Sequence, residues 1–213
     1  MTNRKTIARM AVALGAFGLS AWAQAPGATC NKCSASYIPK EEIDQYLKRA
    51  DGAGVADQQM RAVDVGRTNV AIGVVYRGKL DKPGNQTVAE HNQVSEVYHI
   101  IDGSGTLVTG WDITDLIPRP ADDRAVVLLN GPGGNGQTIR NGVTYQLKAG
   151  DMIVIPAGVG HWFTKIDDHI RYVMVRLDPD KIAPPKTEAA SKADLASGER
   201  GYRESSAGSA SKK

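Results

Sequence analysis

His91 and Glu96 stand in the stretch His91-Asn92-Gln93-Val94-Ser95-Glu96, which runs apolar through Ile100 and Ile101 into Gly103-Ser104-Gly105. A second imidazole, His161, follows the corner Pro156-Ala157-Gly158-Val159-Gly160 much later in the chain. Two imidazoles and a carboxylate are groups that a divalent transition ion takes from a protein. As a set of three they match the two-histidine, one-carboxylate triad, which leaves coordination positions open for substrate and dioxygen. Fe(II), Mn(II) or Zn(II) would suit such a set. The competing arrangement has the two histidines at a rim and Glu96 paired with Arg171 or Arg176.

The elements that would bring these residues together are strands. From Ala62 the apolar period becomes two. Residues 62–65, 69–77, 95–101, 106–109, 142–148, 151–155, 161–165 and 170–177 read as strands, and 87–91 leads into the histidine-glutamate stretch. Lys82-Pro83-Gly84-Asn85, Gly103-Ser104-Gly105 and Ala149-Gly150-Asp151 read as turns. Many short strands with almost no central helix predict an all-β barrel or sandwich. Strand alternation puts Glu96, Tyr98 and Ile100 on one face and Val97, His99 and Ile101 on the other. His99 is therefore expected outside the site, and His169 in a solvated turn. An ionised Glu96 beside Ile100 in the core needs a partner charge, and a metal would offset that cost.

Between these strands, residues 111–143 are less regular. They hold Val126-Val127-Leu128-Leu129 and the glycine-rich run 130–136. That run has no Lys-Ser/Thr ending and no helix pattern after it, so it is not a phosphate-binding P-loop. A turn or rim loop is the expectation.

The chain ends read differently from the middle. Of 213 residues, 1–25 have the form of a secretory signal: Arg4, Lys5 and Arg9, an apolar run over 10–19, then small-residue sites around Ala23 and Ala25. The mature protein is expected in the periplasm or secreted, with no membrane association after cleavage. Thr29 before Cys30 does not fit a lipoprotein signal. In an oxidising compartment Cys30 and Cys33 read most simply as a local disulfide. A redox motif would need a strand before the pair and a helix at it. Residues 26–61 are expected to form an extension carrying a short helix over 39–50, with acids in its first turn and bases in its last. Residues 181–213, rich in Lys, Ala, Ser and Gly, read as a low-complexity mobile tail, with helix near 189–195. The formal charge of +3 resides in the two ends, leaving a slightly acidic body that excludes nucleic acid as a partner.

The two stretches resemble the paired motifs of the cupin superfamily, a small double-stranded β-helix or jelly-roll barrel. The first motif is Gly, five residues, His-x-His, three or four residues, Glu, six residues, Gly. His91, Glu96 and Gly103 match its second half. The second motif is Gly, five residues, Pro-x-Gly, two residues, His, three residues, Asn. Gly150, Pro156, Gly158 and His161 match it. There are three departures: Ala89 stands where the first histidine would be, Gly84 is one residue too close, and Lys165 replaces the asparagine. The resemblance covers about residues 65–178 and implies a barrel domain over 62–180 with a metal at its mouth.

What the resemblance implies about chemistry is broad. An enzymatic reading is a metal-dependent, dioxygenase-like oxidoreductase acting on a small organic substrate, with open coordination positions beside Ala89. A non-catalytic reading is an exported protein that binds a small ligand in the same barrel, with or without metal. Tyr98 and Trp162 flank ligand positions and are candidates to line the substrate pocket. Pairing of barrels into a homodimer is a further expectation from the family.

Overall fold

The computed structural model describes residues 34–50 and 55–198. The signal-like segment and the Cys30/Cys33 pair lie outside these residues. In chain order the elements are helix α1 (Lys40–Ala50), strands β1 (Val55–Asp64), β2 (Asn69–Arg77), β3 (Val88–His91), β4 (Ser95–Gly110), β5 (Asp112–Thr114) and β6 (Ile117–Pro118), and a π-helical turn (Val126–Asn130). Then come β7 (Gly133–Gly136), β8 (Thr138–Arg140), β9 (Val143–Lys148), β10 (Met152–Ile155), β11 (Gly160–Lys165), β12 (Ile170–Asp178) and helix α2 (Glu188–Ser197). The protein is all-β in its body, as the strand pattern predicts. Among the described residues no helix is long and apolar enough to cross a membrane.

Ten strands form one antiparallel sheet in the order β1-β2-β12-β4-β11-β3-β7-β6, with β10 and β9 also pairing to β4. The pivot is β4. Up to Gly103 it lies between β12 and β10, and from Ser104 it pairs with β9 and then β11. Gly103-Ser104-Gly105 is thus a bend inside one long strand, not the turn expected from sequence. Gly103 has φ +73, and a Cβ there would sit 2.0 Å from the carbonyl oxygen of His169. Only glycine permits that approach. The bend folds the sheet into a jelly roll whose halves share one core. Tyr98, Ile100, Tyr172, Met174 and Val75 come from one side, and Leu107, Leu147 and Phe163 from the other.

The glycine-rich run 130–136 also departs from expectation. Residues 133–136 form β7, sandwiched between β3 and β6. A Cβ at Gly133 would lie 2.1 Å from the Glu90 carbonyl oxygen, and one at Gly136 would lie 2.1 Å from the Ile113 side chain. The glycines serve close strand packing, and nothing in the side-chain pattern signals it. The apolar run Val126–Leu129 lies in a π-helical turn.

Both ends of the body differ from the sequence reading. β1 starts at Val55 rather than Ala62, because polar side chains hide its alternation. Gln58, Gln59 and Arg61 are buried. Gln58 donates to the Tyr46 carbonyl, and Arg61 forms a two-pronged pair with Glu42 of α1 at 2.6 and 2.9 Å. Residues 181–198 are docked, not mobile. Ala62 and Lys186 exchange backbone hydrogen bonds, and fully buried Ser191 on α2 donates to Glu42. The Tyr46 hydroxyl shares a 2.8 Å bond with the Ser191 hydroxyl, while Arg49 reaches Asp194 at 3.0 Å. A polar interface of this kind has no apolar period, so the segment looks like a solvated tail in sequence.

Replacing Gly103 with alanine is expected to cost about 3 kcal/mol or more, since the positive φ and the backbone clash add. Urea unfolding measures it, and a loss under about 1 kcal/mol would show that the bend relaxes freely.

Candidate metal centre

Three strands deliver the three side chains to one point. Glu96 is the second residue of β4, and its face carries Tyr98 and Ile100 into the core; all three are buried. His161, on β11, shares the inward face with Phe163. His91 ends β3, where Ala89 pairs with His161 across the ladder. The Pro156–Val159 corner fastens the two motif regions together. Gly158, at φ +79, donates its N–H to the His91 carbonyl at 2.8 Å, and the Ala157 N–H donates to the Ser95 hydroxyl at 3.0 Å. The Pro-x-Gly spacing is therefore a clamp on the end of β3, which explains why it accompanies the histidine.

The ligand atoms of His91, Glu96 and His161 lie within 4.8 Å of one another, and all three residues are buried. His91 Nε2 is 3.4 Å from Glu96 Oε1, and His161 Nε2 is 3.6 Å from Glu96 Oε2. Donors about 2.0–2.2 Å from a shared ion are separated by this much at near-tetrahedral angles. The donor set and spacing fit a divalent cation. His161 Nδ1 donates to the Val159 carbonyl at 3.3 Å, which turns the Nε2 lone pair toward Glu96. At His91 the arrangement is reversed. Arg119 Nη1 stands 3.5 Å from Nδ1, and a guanidinium has only donors, so Nδ1 accepts and the neutral ring carries its proton on Nε2. A cation bound between His91 and Glu96 would take the place of that proton.

Burial pushes the His161 imidazole down to about 4, against the upward pull of Glu96. His161 is thus a neutral donor at physiological pH. Burial raises the Glu96 carboxyl, but His91, Arg176 and His161 outweigh it and hold it well below the usual carboxylate range. Each oxygen of Glu96 has an outer donor. Arg176 Nε gives one bond to Oε1 at 3.2 Å, and the Tyr98 hydroxyl gives one to Oε2 at 2.7 Å. Arg176 also pairs with Asp57 through Nη2. Arg176 thus supplies the partner charge that a buried Glu96 was expected to need. Arg176 is the partner named in the competing sequence reading, and it coexists with the three-ligand cluster. Arg171 pairs with Asp102 instead.

Other sequence candidates fall into place by strand face. Tyr98 lines the cavity and packs on Tyr172 at 4.4 Å between ring centroids. Trp162 does not line it. It alternates with His161, faces outward, and donates its indole N–H to the Thr87 hydroxyl at 3.0 Å. His99 is exposed, as expected. His169 is not simply solvated: it bridges Asp168 and Asp102 at 2.6 and 2.8 Å and stacks on Tyr76. Bonds to Asp168 and Asp102 raise its imidazole. Lys165 is exposed and pairs with Asp167. Ala89 is buried and forms part of the cavity wall.

The cavity has about 40 Å³ of free volume. Besides the three ligand residues, Asp57, Arg77, Arg119, Asn130 and Arg176 bring polar groups to it. The sequence reading passed over Asp57, Arg77, Arg119 and Asn130 as site residues. Asp57 sits in the polar part of β1, Arg119 between two prolines, and Asn130 at the end of an apolar run. None of these contexts marks a site without the fold.

No family model matches the chain, and no curated protein matches it. Among solved structures, a protein from Bacillus halodurans is 14% identical over 75% of this chain and 95% of its own, with a TM-score of 0.37. Peruvianin-I, a cysteine peptidase from Thevetia peruviana latex, is 13% identical over 64% and 68%, also at 0.37. The DMSP lyase DddQ from Ruegeria pomeroyi is 14% identical over 62% of this chain and 51% of that one, at 0.35. At this likeness the neighbours say nothing about the chemistry of this chain.

Two outcomes follow from the buried charges. Arg176→Met removes the buried charge bonded to Glu96 and is expected to cost about 3–5 kcal/mol, read as a shift in urea midpoint. The second concerns pH. His161 stays neutral in the folded state down to about pH 4, while the unfolded chain takes up that proton near 6.5. Stability of the metal-free protein should therefore fall as pH drops from about 6.5 toward 4. His161 contributes on the order of 3 kcal/mol, and the lowered Glu96 adds a loss of the same sign below its unfolded value. His161→Gln should flatten the upper part of that profile; an unchanged slope would contradict the assignment.

Proposed function

We propose that this chain is an exported member of the cupin superfamily that holds one divalent metal on His91, Glu96 and His161 and oxidises a small organic substrate in dioxygenase fashion. The observation that carries this reading is the convergence of two imidazoles and one carboxylate, all buried, at the wall of a small cavity. Bound there as Fe(II) or Mn(II), the ion supplies Lewis acidity and redox chemistry at its open positions. The protein supplies the rest. The Val159 carbonyl fixes the tautomer of His161, and Arg176 and Tyr98 orient the Glu96 carboxylate from behind, as outer partners of metal ligands do. The methyl of Ala89 leaves free the space a fourth imidazole would fill, so a small molecule can approach from that side. Periplasmic or secreted placement rests on the signal-like N-terminal residues.

A second reading is a non-catalytic ligand-binding barrel. The Arg176–Glu96 pair favours it, because the carboxylate is compensated without a cation.

Metal content of protein purified from its own compartment separates the two. The metal reading expects close to one Fe or Mn per chain, and His91→Ala and His161→Ala each to weaken Mn(II) binding at least about tenfold. Ala89→His, which restores a fourth donor, should tighten it. Trace metal only, unchanged in His91→Ala, would overturn the metal centre. Metal without oxygen uptake on any phenolic or thiol substrate would favour the binding module.

A further inference from the structure

The two histidines of the cluster are set in opposite tautomers. His161 gives its Nδ1 proton to the Val159 carbonyl and keeps its Nε2 lone pair free for an ion. Metal-ligating histidines almost always donate from the other ring nitrogen in this way. His91 does not. Its Nδ1 faces Arg119 Nη1 at 3.5 Å, and a guanidinium can only donate. The proton of the neutral ring therefore sits on Nε2, with Glu96 Oε1 3.4 Å away.

The sheet builds this contact. β3 pairs His91 with Gly133 of β7, and the Arg119 N–H donates to the Gly133 carbonyl at 2.8 Å. Arg119 and His91 thus flank a residue with no side chain, and the arginine reaches across β7 over it. Pro118 and Pro120 stiffen the chain on either side of Arg119, since proline fixes φ. Glu90 keeps the guanidinium in place. Its carbonyl accepts from Nη1 at 3.2 Å, and its buried carboxyl is attracted to Arg119.

We propose that Arg119 is a positioning residue that holds His91 in the tautomer opposed to ion binding, and that occupancy of Nε2 breaks the Arg119–His91 contact. The inference rests on the metal reading of the site. A neutral His91 that offers its Nε2 lone pair to a cation must carry its proton on Nδ1. Two donors then face each other across 3.5 Å, and the guanidinium has to leave the ring. The proton changes nitrogen and the ring keeps its charge, so His91 loses no net proton. Breaking the contact subtracts from ion affinity. Arg119 also lines the cavity, so ion occupancy is linked to the orientation of a guanidinium in the cavity wall. That coupling is reciprocal: a molecule that draws Arg119 away from His91 would tighten the ion.

Zn(II) is diamagnetic and serves as the probe for NMR, calorimetry and crystal soaking. In metal-free protein, 15N NMR is expected to show His91 protonated on Nε2 and His161 on Nδ1. Arg119→Met should bind Zn(II) about threefold to tenfold more tightly than wild type, the effect of one hydrogen bond that no longer has to be broken. In wild-type crystals soaked with Zn(II), Arg119 should have left His91 Nδ1. A proton on His91 Nδ1 in the metal-free protein, Arg119→Met binding no more tightly, or Arg119 still against Nδ1 in the loaded site overturns the proposal and leaves the metal centre standing. Absence of Zn(II) binding by wild type and Arg119→Met alike overturns the metal centre itself, and this restraint with it.

Discussion

The contact between Arg176 and Glu96 is the constraint around which the site is built. A carboxylate 2% exposed cannot remain ionised in a barrel interior without a compensating charge. Arg176 supplies one from the neighbouring strand, where it pairs with Glu96 in register, and Asp57 on β1 anchors its far side. The three side chains run minus to plus to minus, with Arg176 reaching past β2 to Asp57 on β1. Glu96 can therefore keep both oxygens turned toward the histidines. The cost of placing charge in the core is met by strand order, which puts β12 between β2 and β4.

That arrangement makes the site usable in two ways. The Glu96 carboxylate has a compensating charge in Arg176 whether or not a cation is bound. It also presents a charged donor between two imidazoles, one of them held neutral by burial. The same arginine that steadies Glu96 leaves its Nη1 facing no partner, and Arg119 approaches from the loop after β6.

The frame around the site has its own logic. β4 serves both halves of the sheet because Gly103 admits a bend that any side chain would block. The Pro156–Val159 corner holds His91 in place through a backbone bond from Gly158. On the outside, α1 and α2 cover β1 and β2 through a polar web in which Glu42, Arg61, Tyr46, Ser191 and Asp194 satisfy one another. This polar pairing surrounds an apolar cluster of Tyr46, Met60 and Val74, against which Ile43, Leu47 and Leu195 pack.

The sequence by itself determined the all-β class, the inward face of Glu96 and Tyr98, the outward face of His99, and the meeting of His91, Glu96 and His161. Those features depend on local alternation and on motif spacing, both of which are written in order along the chain. It misjudged Trp162, whose outward face follows from the same alternation that turns His161 inward. It also left β1 too short, gave the glycine-rich run no strand, and took residues 181–198 for a tail. In each of these the deciding interactions are polar or backbone contacts between distant segments, which carry no period. The tertiary structure alone decided that Arg176 compensates Glu96, and that Arg119 and Asn130 reach the same cavity, because those relations exist only once strands far apart in sequence lie side by side.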